Sequence, residues 1–91
     1  MGVLVLAKVK LPYKVDNTLD SFIVKEIGRR MYVNGIKVTK TDVINELAKH
    51  CGVGYENINR IKRGISLPSL GVALKMSEYF NVKIEDIFKI A

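Results

Sequence analysis

The chain has 91 residues, 48% of them hydrophobic and 26% charged, with 7 glycines and 2 prolines; that balance fits one small globular domain and excludes a fibrous, disordered or two-domain chain. Fifteen Lys and Arg against nine Asp and Glu leave a formal charge of +6, which favours a polyanionic partner through long-range attraction. A single cysteine, Cys51, excludes an internal disulfide framework and points to a reducing, cytoplasmic setting.

Residues 3–11, Val-Leu-Val-Leu-Ala-Lys-Val-Lys-Leu, are rich in β-branched residues and begin to alternate at Ala7, as a strand with one wet face does. The apolar opening is too short to span a membrane, has no basic residue before it and lacks a small-residue cleavage signal, so neither membrane insertion nor export is expected. Residues 1–40 hold eight basic and three acidic side chains; Lys8 and Lys10 mark the solvent side of the strand, and Lys8, Lys10 and Lys14 are read as edge-strand gatekeepers. A lone strand leaves its backbone unpaired. It is expected to pair with the same strand of a second copy or, within the chain, with Ile36-Lys37-Val38.

Asp16, Asn17 and Thr18 are all N-cap types, and Leu19, Phe22, Ile23, Ile27 and Met31 then recur at three- and four-residue steps, which predicts a first helix over about 19–33. Asn34-Gly35 suits either a left-handed helix end or a tight hairpin turn; the unbroken stripe favours the helix end. Thr39 and Asp42 have capping-box spacing and open a second helix with Val43, Ile44, Leu47, Ala48 and Cys51 on its inner side. After Gly52-Val53-Gly54 a short polar run, Tyr55 to Arg63, offers only Ile58 and Ile61 for burial. A fourth helix begins at Ser69 with the stripe Leu70, Ala73, Leu74, Ser77 and Phe80. A fifth places Ile84, Ile87 and Phe88 on one face, behind Glu85 and Asp86.

Few residues suit catalysis. His50 and Cys51 are the only soft ligands, short of the four a closed zinc site needs, and read as a surface histidine and a small core filler. No phosphate loop or nucleophile-and-base set is visible, so neither an enzyme nor a cofactor is expected. The informative stretch is 43–63. At about 100° per residue, Ile58 and Ile61 point one way while Glu56, Asn59, Arg60 and Arg63 point the other, flanked by Tyr55, Lys62 and Asn57. Such a helix is either a solvated surface helix or the second member of a helix-turn-helix that reads base edges.

Glu46-Leu47-Ala48 through Gly52-Val53, Ile58-Asn59-Arg60-Ile61-Lys62-Arg63-Gly64, Pro68-Ser69-Leu70, Ala73-Leu74-Lys75, Phe80-Asn81-Val82 and Ile87-Phe88 together resemble the XRE, or Cro/CI-type, helix-turn-helix family over about residues 39–88. The resemblance implies a mainly α, five-helix, lambda-repressor-like domain at 16–91, behind an N-terminal strand or arm at 1–15. It implies base contacts from Gly54, Tyr55, Glu56 and Arg60, with Asn57 and Asn59 beside them, and phosphate contacts from Lys62 and Arg63. Where the family carries a Gln clamp near the start of the second helix this chain has Ile44, and Thr39, Lys40 or Thr41 is expected to take over. The segment before Leu47 is about six residues longer than the family's linker.

Leu70, Phe80, Ile87 and Phe88 are expected in the core, part of that set being a candidate dimer face; Lys25, Arg29 and Arg30 are read as a solvated helix face. The implied function is a sequence-specific DNA-binding regulator, a repressor of phage, mobile-element or bacterial type, working as a homodimer on double-stranded DNA with two-fold operators. The alternatives are an antitoxin, with a toxin or anti-repressor as protein partner, and a protein-interaction module that has lost DNA binding.

Overall fold

The computed structural model describes residues 12–91; the strand expected over 3–11, with Lys8 and Lys10, lies outside the described residues. The elements run β1 (Val15–Asn17), α1 (Leu19–Asn34), α2 (Lys40–Cys51), α3 (Tyr55–Lys62), α4 (Leu70–Phe80), α5 (Ile84–Ile87) and β2 (Phe88–Ile90). The five expected helices are present, in a mainly α fold.

Each boundary has a local cause. Asn17, not Thr18, caps α1 with its side chain: Asn17 Oδ1 accepts from the Leu19 amide at 3.1 Å, whereas the Thr18 hydroxyl donates to the Asp86 carbonyl at 2.8 Å. Gly35 ends α1 at φ 65°, so the Asn34-Gly35 pair is a helix end, and Ile36–Val38 is irregular rather than a strand. Thr39 and Asp42 form the full capping box of α2, and Gly52 closes that helix at φ 74°. Ser69 caps α4 through the Val72 amide, and Asn81 ends it in the left-handed region at φ 55°.

The core joins all five helices: Leu19 and Ile23 from α1, Val43, Ile44, Leu47 and Ala48 from α2, Ile58 and Ile61 from α3, Met76 from α4 and Ile87 from α5. Phe22 and Phe80 close one side with ring centroids 5.5 Å apart, and Tyr79 stands edge-on to Phe80 at 5.0 Å.

Four expectations about packing are corrected. Leu70 is 73% exposed and Leu74 51% exposed, while Met76 is fully buried; α4 is turned about a quarter of a turn from the expected stripe, because it is apolar on more than one side and the row through Val72, Met76 and Phe80 is the one that meets the core. Met31 is half exposed, since the buried part of α1 ends near Ile27 and the last turn lies outside the core. Phe88 is not on α5: that helix stops at Ile87, and Phe88 opens β2 with its ring half buried. A two-stranded antiparallel sheet also exists where none was expected, pairing Val15 with Ile90, Asp16 with Lys89 and Asn17 with Phe88. At three residues per strand, neither half carries a propensity signal of its own.

Candidate nucleic-acid interface

The turn between α2 and α3 is short and internally satisfied. The Gly52 amide returns to the Ala48 and Lys49 carbonyls and the Val53 amide to the Ala48 carbonyl at 3.0 Å, so the chain reverses without stranded acceptors. Gly54 then starts α3 with no side-chain cap. Ile58 and Ile61, both buried, seat α3 on the core. Every other position faces partly or wholly outward.

On that outward side Glu56, Asn57, Arg60 and Arg63 are exposed, with Gly54 at the helix start. Tyr55 and Asn59 are half buried, and Tyr55 packs against the rim of the core. Arg60 is braced from the following loop: its Nε donates to Ser66 Oγ at 3.4 Å, and its carbonyl accepts the Ile65 and Ser66 amides. Gly64, at φ 78°, turns the chain directly behind Arg63, a conformation that side-chain-bearing residues rarely adopt.

The residues expected at phosphate are less uniform. Thr41 is exposed, whereas the Thr39 hydroxyl accepts from the Asp42 amide and Lys40 Nζ donates to Asp20 at 3.1 Å. Lys62 also leans on Asp20, at 3.6 Å, and Lys40 and Lys62 hold that carboxyl below its ordinary range. Ile44, in the position of the family's Gln, is buried and contributes packing rather than a clamp. Arg30, read above as part of a solvated face, is correctly placed elsewhere: it forms a bidentate pair with Glu46 at 2.6–2.7 Å and also bonds Glu26 and Tyr79. Burial and the adjacent Glu46 push the Tyr79 hydroxyl up to about 12, which keeps it a neutral donor to Glu46.

Two long-range supporting contacts, one from Asn17 and one from Asp20, were not anticipated from the sequence. Asn17 Nδ2 donates to the Ile61 carbonyl at 3.1 Å, tying β1 to the last turn of α3, and Asp20 joins the starts of α1 and α2 to Lys62. Periodicity carries no signal for either, because both act across long sequence separations. His50 meets Glu78 at 2.8 Å and the Cys51 thiol is half buried and pushed up by burial. Among the described residues no group of three or more His, Cys, Asp and Glu is arranged to hold a metal, and no helix is long and apolar enough to cross a membrane.

The sequence profile of the helix-turn-helix family matches residues 43–87, from α2 to the end of α5. The chain is 49% identical over 43 residues to an uncharacterized HTH-type transcriptional regulator of Methanocaldococcus jannaschii, covering 47% of this chain and 65% of that one. It is 51% identical over 43 residues to a protein of the same description from Archaeoglobus fulgidus, covering 47% and 61%. The chain thus spans somewhat less than two thirds of these two archaeal relatives. With the Bacillus subtilis HTH-type transcriptional regulator YvzC it shares 38% identity over 60 residues, 66% of this chain and 78% of that protein. Fold, turn geometry and similarity agree, and the chain belongs to the XRE-type helix-turn-helix family of transcriptional regulators.

Proposed function

We propose that this protein is a sequence-specific repressor that binds double-stranded DNA as a homodimer, in the cytoplasm, with α3 in the major groove. The observation that carries the reading is the division of α3: two buried isoleucines on one side and, on the other, Glu56, Asn57, Asn59 and Arg60 around a bare Gly54. Arg donates twice to guanine, Asn pairs with adenine and Glu accepts from the cytosine amino group. Tyr55 contributes an aromatic edge beside them. Arg63, Lys62, Thr41, Lys40 and Thr39 flank this face as phosphate contacts, which position the helix without reading sequence.

The dimer is supported by the rotation of α4. Leu67, Leu70, Leu74 and Ile90 are each more than half exposed, and Leu67 and Leu70 border an apolar groove of about 240 Å3 with Val15, Ile84 and Phe88. A second copy seated there would cover side chains whose exposure is otherwise unfavourable. Selection from a random duplex library with the purified protein tests the function. Enrichment of an inverted repeat, with half-site centres about 34–36 Å apart, is the expected result; recovery of no preferred sequence overturns it.

A further inference from the structure

The start of β1 and the end of α3 enclose a hollow of about 610 Å3, with Lys14, Asp16 and Asn17 on one wall and Lys62, Arg63 and Gly64 on the other. Both walls are fixed. Asn17 Nδ2 holds the Ile61 carbonyl at 3.1 Å, and the Lys14 carbonyl accepts the Ala91 amide at 2.8 Å, so the backbone carrying Lys14 is pinned beside the last turn of α3. The Lys62 ammonium is drawn to Asp20 at 3.6 Å. Lys14 and Arg63, by contrast, have no carboxylate within salt-bridge distance among the described residues.

Two cations that line one polar hollow and are held by no carboxylate among the described residues attract a small oxyanion, and one carboxylate in the wall, Asp16, opposes it. We propose that Lys14 and Arg63 together clamp a phosphate of the DNA backbone, so that β1 contributes to the nucleic-acid surface beside the helix pair. This rests on the DNA-binding reading above. The hollow adjoins the end of α3, and the backbone phosphates flank the groove that such a helix enters. A backbone phosphate and a free phosphate offer the same oxygens; the position of the hollow at the margin of the reading face favours the former.

The test compares Lys14→Gln, Lys14→Arg, Asp16→Asn and Lys89→Gln with the wild-type chain, by fluorescence anisotropy on the selected duplex and a random duplex across a salt series. Lys89 lies opposite Asp16 in the sheet and does not line the hollow, so it reports the effect of losing one charge nearby. K14Q should reduce the slope of log affinity against log salt by about one unit and weaken both duplexes about two- to fivefold. K14R should keep the wild-type slope, D16N should tighten binding to both duplexes, and K89Q should leave the slope within about a third of a unit. A wild-type slope retained in K14Q overturns the proposal while leaving DNA binding intact. So does a phosphate titration, followed by NMR, in which inorganic phosphate occupies the hollow equally in free and DNA-bound protein. A wild-type chain with no salt-dependent affinity for any duplex overturns the DNA-binding reading itself, and this proposal with it.

Discussion

Arg60 and Arg63 sit three residues apart at the end of one short helix, and the proposed function gives them different work. Arg60 is braced by Ser66 and points from the middle of the outward side, where a planar guanidinium suits bidentate contact with a base. Arg60→Ala should weaken binding to the selected site by about 1–3 kcal/mol and relax preference at one position. A repeat of the library selection with the variant checks it, and an equal loss on random duplex would remove the base assignment. Arg63 stands at the exposed margin beside Gly64, so Arg63→Ala should weaken specific and random duplexes alike and lower the salt slope by about one unit. Both arginines were legible in the sequence, because their outward direction follows from the two isoleucines. Lys14 was legible only as a charge, since the Asn17 bond that brings β1 to α3 joins residues 44 apart.

At the scale of elements, α3 is seated on the core through two fully buried side chains, Ile58 and Ile61. Ile58→Ala should destabilise the fold by about 2–5 kcal/mol in urea denaturation, the usual range for emptying a fully buried aliphatic site. Asn57→Ala, one residue away and exposed, should stay within about 0.5 kcal/mol. Similar losses for the two would mean that α3 is not seated through its isoleucines. The helix pair was readable because its signals are local: the Thr39 and Asp42 capping box, Gly52 in the left-handed region, and apolar residues on one side only. The facing of α4 was not, because Leu70 and Leu74 repeat with helical spacing as well as Met76 does, and only the neighbouring α2 decides which row is covered. The β1–β2 pair was missed for a related reason: each strand is defined by a partner more than 70 positions away.

For the whole molecule, ion pairing concentrates on the side where α1, α2 and α4 meet. Arg30 and, less strongly, Tyr79 hold the Glu46 carboxyl below its ordinary value of 4.5, and the paired arginines do the same for Glu26. A carboxylate depressed by folding contributes stability that is full above its unfolded value and is lost as pH falls through the lower folded one. Thermal melts between neutral pH and about pH 2–3 should therefore show a fall in stability below about pH 4.5 that is shallower in Glu46→Gln, with a difference of about 1 kcal/mol or less because Glu46 is half exposed. Identical acid limbs would argue against the Arg30 cluster. The proposed association surface gives a separate expectation. Leu70→Glu, at a position already open to solvent, should convert a dimer to a monomer in sedimentation with little change in melting temperature, and a dimer that survives the change must use another face.

The strand pair also has a topological meaning. With the Ala91 amide 2.8 Å from the Lys14 carbonyl, the path that begins at Lys14 returns to its own starting point, and the polypeptide between them is nearly a closed ring. In a ring the choice of first residue is arbitrary. A permuted chain opened in the irregular, exposed stretch around Gly35–Lys37, with Ala91 spliced to Lys14 through a few glycines, would preserve the helices and the sheet of the described residues. The helix pair that defines the family would then lead the chain, so translation would deliver α2 and α3 before α1 and leave the architecture unaltered.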